Sequence, residues 1–151
     1  MKRRLAILWV VLFPTIAVTA AQVQPQPGEY EIALEIDRTV SRGAHYEAGF
    51  QKDKKIDCFT AEQLKGPTEI AKLFTSEAEE ANCTKPDVKT TGNKMTIATT
   101  CQDGGVRTAS NTEFTFGPAL ITIRTEVRDD TGAVSTIRIT ARRIGECKKA
   151  S

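Results

Sequence analysis

Residues 106–142 read VRTASNTEFTFGPALITIRTEVRDDTGAVSTIRITAR, and their alternation decides the fold. Phe114, Phe116, Ile121, Ile123, Ile137 and Ile139 all fall on one parity within their runs. Arg107, Glu113, Arg124, Glu126, Arg128, Arg138 and Arg142 fall on the other. A period of two is the mark of half-buried strands. The two breaks in the pattern are turns. Gly117-Pro118 divides 106–116 from 119–129, which sets Phe114 opposite Ile121 and Thr112 opposite Ile123. Asp130-Thr131-Gly132 suits a three-residue hairpin loop with Gly132 in the left-handed position. That loop sets Val127 opposite Ser135, Thr125 opposite Ile137 and Ile123 opposite Ile139. A slip of one residue anywhere would turn the whole apolar set to water.

The same alternation extends outward. Gly92-Asn93 turns strand 87–91 into 94–101, with Val88 opposite Ile97 and Thr90 opposite Met95. A four-residue loop 102–105 would then put Ile97 opposite Ser110 and Cys101 opposite Val106. At the front, Tyr30, Ile32, Leu34 and Ile36 alternate with Glu29, Glu31, Glu35 and Asp37. Residues 41–49, SRGAHYEAG, break that strand, and a second one over Phe50 to Cys58 is crowded by Lys52, Asp53, Lys54 and Lys55. Only the middle reads as helix. Thr60 and Gln63 have capping-box spacing. Pro67 suits a helix start, Ile70, Leu73 and Phe74 form an apolar stripe, and SEAEEAN trails off as a polar end. The fold class is mainly β: an antiparallel meander of about seven strands, curved or barrel-like, with one or two short helices between strands two and three.

The first twenty residues, MKRRLAILWVVLFPTIAVTA, have the basic start, apolar run and small-residue end of a secretory signal. The run is shorter than the ~20 apolar residues a bilayer span needs, and no cysteine follows it to carry a lipid. Export and cleavage after Ala20 or Ala21 are expected, with no membrane span afterwards and the periplasm as destination. Residues 21–27, AQVQPQP, then form a flexible leader, residues 28–147 a single domain, and residues 148–151 a C-terminal tail. The signal carries three of the 21 basic residues and none of the 19 acidic ones, so the remainder has a formal charge of −1. That balance argues against a nucleic-acid partner.

Cys58, Cys83, Cys101 and Cys147 all lie beyond the signal, and an even count in an exported chain implies two disulfides. No CxxC or CxxH pair supports zinc. Cys83 opens the 87–101 hairpin and Cys101 closes it. Three further crossings of the sheet carry Cys147 to the opposite end. Cys83–Cys101 with Cys58–Cys147 follows from that count; Cys58–Cys83 with Cys101–Cys147 is the alternative. In either case Cys147 ends the chain because it fastens the last strand.

PGEYEI at residues 27–32, IDCFTAEQ at 56–63, a cysteine-bracketed Gly-Asn hairpin and ARRIGEC at 141–147 come in an order that resembles an exported bacterial family, the domain of unknown function 3617. The chain departs from the family's usual Trp with Tyr30, and lacks a Met- and Pro-rich insertion in strand two. The resemblance implies an envelope location and a β-rich fold, and carries over no activity.

No motif for catalysis, cofactor or metal appears. His45 is the only histidine and falls within the break 41–49, which reads as a loop. There is no G-x-S-x-G elbow, P-loop, G-x-G-x-x-G or H-E-x-x-H. The chain reads as a non-enzyme with no cofactor. One feature has two readings: the inner face is apolar toward one end and hydroxylated toward the other, which is the pattern of a sheet face half exposed there and also that of a small cup for an amphipathic ligand. Phe114, Phe116, Ile121 and Ile139 cluster toward the apolar end, and Thr108, Ser110, Thr125 and Ser135 toward the hydroxylated one. The expected lining of the cup is Thr108, Ser110, Thr112, Phe114, Ile123, Thr125, Ser135 and Ile137. Two functions remain open: an interaction module for an envelope protein, using the Arg-rich outer face, and a carrier or sensor of a small apolar or amphipathic ligand held in a β-cup.

Overall fold

The computed structural model describes residues 23–42, 45–75 and 82–148. The expected signal peptide, the polar end of the helical segment and the last residues of the tail lie outside them. Seven strands form one antiparallel sheet: β1 (Gly28–Arg42), β2 (His45–Phe59), β3 (Asp87–Thr91), β4 (Lys94–Asp103), β5 (Val106–Phe116), β6 (Leu120–Asp129) and β7 (Val134–Gly145). The order across the sheet is β2-β1-β7-β6-β5-β4-β3. Strands β3 to β7 are the expected meander, and the β1–β2 hairpin docks on β7, so β2 and β3 are the two edges of a curled sheet that does not close. The chain therefore crosses from one edge to the other between Phe59 and Asp87, and the single helix α1 (Pro67–Phe74) stands on that crossing.

Two of the expected registers are corrected, each by two residues. Gly104 and Gly105 both have positive φ, 54° and 86°, and close a two-residue turn in place of the four-residue loop. Two left-handed residues are what a type I′ hairpin requires. The β4–β5 ladder gains two pairs, putting Ile97 opposite Thr112 and Cys101 opposite Thr108. At the next hairpin Gly117 N–H bonds the Leu120 carbonyl (2.7 Å), so Pro118 and Ala119 occupy the corner. Proline's fixed φ suits the first corner position better than the second. The carbonyls of that corner are also occupied, by Gln26 N–H (2.9 Å) and Arg143 N–H (2.9 Å). Phe114 thus faces Ile123, Phe116 faces Ile121, and Thr112 faces Thr125. Because both slips are even, every side chain keeps its expected face. The other pairs stand as expected: Val88 with Ile97, Thr90 with Met95, Ile123 with Ile139, Thr125 with Ile137 and Val127 with Ser135.

Strand β2 is longer than expected. It begins at His45, opposite Arg42, so His45 opens a strand and does not sit within a nine-residue loop. The charges that made this strand look poor belong to an edge, where lysines block pairing with other chains. Lys52 and Lys54 meet Glu35 (2.8 Å) and Glu31 (2.7 Å) across the hairpin.

The expected capping box is present, with Thr60 N–H donating to Gln63 Oε1 (2.9 Å) and Gln63 N–H to Thr60 Oγ1 (3.3 Å). It closes a turn; the helix proper starts at Pro67. Ile70 and Ala71 of α1 are buried on the concave face of the sheet beside Leu64. There they meet Tyr30, Met95, Phe114, Phe116, Ile121 and Ala141, which form the core at one end of the sheet. Tyr30 and Phe59 lie with ring centroids 5.1 Å apart, and Phe74 meets the edge of Phe59 at 5.7 Å.

The chain's beginning and end are clasped together at this core end. The leader, expected to be flexible, is held from Val23 onward. Pro25 is buried, Gln24 Nε2 donates to the Leu64 carbonyl (2.8 Å), and Tyr30 Oη donates to the Gln26 carbonyl (2.6 Å). Burial raises the Tyr30 hydroxyl pKa, with Arg143 pulling it back. Arg143 Nε donates to the Pro27 carbonyl (2.8 Å), and its guanidinium also pairs with Glu146. Gly28 has φ +150°, and a Cβ there would be driven into the Gly145 carbonyl oxygen and the Arg143 guanidinium. The stretches PGEY and RIGEC are therefore two halves of one structural clasp, which the Cys58–Cys147 disulfide locks.

Candidate functional site

Helix α1 covers only part of the concave face. At the core end the inward residues are sealed: Tyr30, Phe114 and Ile121 are 0% exposed. Toward the other end the sheet continues past the helix with nothing packed on it among the described residues. The inward positions there are small or hydroxylated, because β4, β5 and β6 carry Thr99, Ser110, Thr112, Thr125 and Val127. The register stacks them in two transverse rows. One runs Thr99, Ser110, Val127, Ser135, and the next runs Ile97, Thr112, Thr125, Ile137.

Over these rows lies a concavity of about 750 Å³. Its far wall is the segment before β3, where Cys83, Thr84, Lys85 and Pro86 stand beside Val88. That segment is tied to β4 by the Cys83–Cys101 disulfide, by Thr84 N–H to the Thr100 carbonyl (2.8 Å) and by Gln102 N–H to the Asn82 carbonyl (3.1 Å). The near wall is the last turn of α1, where Phe74 and Thr75 face the space. Thr75 closes the helix by donating both its N–H and its Oγ1 to the Ala71 carbonyl, each at 2.9 Å. A smaller hollow of about 190 Å³ lies on the other side of Phe74, lined by Ile32, Leu34, Leu73 and Ile139 with Asp53 and Lys55 at its edge.

Of the eight residues expected to line a cup, Ser110, Thr112, Thr125 and Ile137 line this concavity. Phe114 and Ile123 do not; both are buried in the core beneath the helix. Thr108 and Ser135 lie on the same face without reaching the concavity's lining. Sequence reading missed Ile97, Thr99, Cys101 and Val127 on β4 and β6, and also Phe74, Thr75, Cys83, Thr84, Lys85, Pro86 and Val88, which come from the crossing and the β3 edge. Lys85-Pro86 between a cysteine and a short strand was the available signal.

The hydroxyl groups are less free than their number suggests. Thr112 Oγ1 and Thr125 Oγ1 share a hydrogen bond (3.0 Å), Ser110 Oγ reaches the Thr99 carbonyl (3.5 Å), and Thr84 Oγ1 accepts from Thr100 N–H (3.2 Å). Threonine methyls and aliphatic side chains are left as the wall. Among the described residues Lys85 is the only charged side chain of the lining. Among the described residues it has no ion-pair partner, and Asp87 beside it is engaged by Lys89 (3.0 Å). No group of three or more His, Cys, Asp or Glu side chains converges among the described residues.

The family described as Protein of unknown function (DUF3617) matches residues 25–147, the span from the leader's buried proline to the last cysteine. The chain belongs to DUF3617. No curated protein and no solved structure matches it. In this DUF3617 chain the four cysteines form Cys58–Cys147 and Cys83–Cys101, the pairing that the count of strand crossings favours. The two bonds hold opposite ends of the sheet, the first at the clasp and the second at the rim of the concavity. Two disulfides are consistent with an oxidising compartment. Among the described residues no helix is long and apolar enough to cross a membrane.

Proposed function

We propose that this DUF3617 chain is an exported, non-enzymatic binding module of the periplasm that holds a small amphipathic ligand in the open half of its concave face, as a carrier or sensor. The observation that carries the reading is the concavity of about 750 Å³ between α1 and the disulfide-tethered segment before β3. Its size is within the range of small-molecule sites, roughly 300–1,000 Å³, and its walls mix aliphatic and aromatic side chains with hydroxyls, as an amphipathic ligand requires. Two disulfides and a secretory-type first twenty residues support export. The absence of any catalytic motif in the sequence supports a binding role.

Native mass spectrometry of protein purified from its own envelope tests the reading. A co-purifying lipid or metabolite is expected with the unaltered chain, and none with Val127→Trp, which would fill the cup from its floor. Ligand retained by Val127→Trp would place binding elsewhere. The same intact mass should correspond to loss of residues 1–20 or 1–21; a released protein retaining Met1 would remove export.

A second reading, an interaction module for an envelope protein, rests on the convex face. There the register sets Glu35, Arg138, Arg124 and Glu113 in one transverse row. Glutamates flanking arginines in this way are also the ordinary dress of a solvated sheet face, so the concavity carries more weight.

A further inference from the structure

We infer that the occupant of the concavity is a single-chain amphiphile with an anionic headgroup, seated with its head on Lys85 and its chain along the β4–β6 floor. The inference rests on the cup reading and adds the ligand's charge and orientation. It follows from an accounting of the polar groups. The hydroxyls of Thr75, Thr84, Ser110, Thr112 and Thr125 each make a hydrogen bond within the protein, and that of Thr99 makes none among the described residues. A ligand therefore meets one uncommitted hydroxyl on a floor otherwise offering threonine methyls and the aliphatic side chains of Ile97, Val127 and Ile137. A floor of that kind takes an alkyl chain and gives little to a polyhydroxylated molecule.

The polar end is different. The Lys85 ammonium has three donors, and no carboxylate among the described residues holds it. It stands on the rim, at the side of the cup fastened by Cys83–Cys101. Lys85 also borders a hollow with Asp87, Glu126 and Arg128, where the two carboxylates are taken by Lys89 and Arg128. An ammonium left without an ion pair among the described residues, beside a largely apolar trough, is complementary to a carboxylate or phosphate head, and Pro86 next to it limits the backbone's freedom to move away. A second hollow, lined by Ile139 and Leu34, lies on the far side of Phe74, which stands between the two.

The experiment compares dodecanoate, dodecyl phosphate, dodecanol and dodecyltrimethylammonium, each below its micelle concentration, by calorimetry on the disulfide-intact protein. The cationic chain is an essential control, because the connecting segment 76–81, SEAEEA, contains three glutamates. The anionic chains are expected to bind about tenfold or more tightly than the alcohol, and the cation no better than the alcohol. Lys85→Gln should bring the anions down to the level of the alcohol while leaving the alcohol unchanged. The two anions tell a fatty-acid head from a lipid phosphate by which binds tighter. Equal binding of acid and alcohol, indifference to Lys85→Gln, or tighter binding of the cation would overturn the inference while the cup stands. If no chain of any charge binds, or if Val127→Trp leaves binding intact, the cup reading falls and the inference with it.

Discussion

The two ends of the concave face are built from the same strands and differ in what covers them. At the core end, Tyr30, Phe59, Phe114, Phe116 and Ile121 meet α1 and leave no room. At the open end the same strands carry Thr99, Ser110, Thr125 and Ser135, and no helix lies over them among the described residues. One end has the packing of a protein interior, where each methylene matters. The other is an open concavity lined by hydroxyls and aliphatic side chains. Each has its own disulfide, and the pair separates a bond that defines the fold from one that shapes a rim.

Removing the two disulfides separately should separate the ends most. Cys58→Ser with Cys147→Ser opens a link spanning 89 residues, for which the loop-entropy relation gives ~4.6 kcal/mol. Cys83→Ser with Cys101→Ser opens one spanning 18, worth ~3.2 kcal/mol. Urea melts of the two double mutants should rank in that order. The reverse ranking would mean the rim, and not the clasp, organises the sheet.

The next contrast is packing. Phe114→Ala empties a site that is 0% exposed and should cost ~3–5 kcal/mol. Ile137→Ala, half-buried on the open floor, should cost below ~1 kcal/mol, since little burial is lost. Equal losses in denaturant melts would show the open end to be packed in solution.

Gly28→Ala probes the clasp directly. Strain at φ +150° should cost ~1–3 kcal/mol, with the collision against Gly145 adding to it. Gly49→Ala, where a Cβ meets nothing within 4 Å, is the matched control and should be near neutral in the same melts.

The convex face should respond least. Arg124 is exposed beside Arg138, and Arg124→Ala should shift stability by no more than ~0.5 kcal/mol. A larger loss would show that face to be buried.

The smallest effect is electrostatic. Asp129 accepts hydrogen bonds from Thr131 Oγ1 (2.6 Å) and Ala133 N–H (2.9 Å), and these hold its carboxyl below the usual range. A depressed carboxyl contributes stability above its unfolded pKa and loses it as pH falls through the folded one. An NMR acid titration should find Asp129 ionised below the ordinary carboxylate pKa, and Thr131→Ala should move it back up. An unchanged midpoint in Thr131→Ala would mean the loop is not formed around that carboxylate.

Alternation made most of the fold legible. In Ile121, Ile123, Ile137 and Ile139 the side-chain period names the buried face without any knowledge of the neighbours, and turn chemistry at Gly92 and Gly132 names where strands reverse. Even the two misjudged turns preserved the faces, since an even slip leaves parity unchanged. The inward facing of Ser110, Thr112, Thr125 and Ile137 was readable for the same reason.

What composition and periodicity determined, then, was local: seven strands, their faces, a short helix at Pro67, and the two disulfides that strand direction favours. Three things waited for the tertiary structure. Nothing in β1 says that its second neighbour is β7, because pairing between distant strands depends on which apolar faces meet and not on any turn between them. The clasp of Gly28 against Gly145 and Arg143 requires segments 115 or more residues apart to touch. Among the described residues the extent of the concavity is set by a helix eight residues long, which ends at Phe74 and so covers Phe114 and Ile123 but not Thr112 and Thr125. An alternating strand records which side is buried; how far along it the cover reaches is decided by another element.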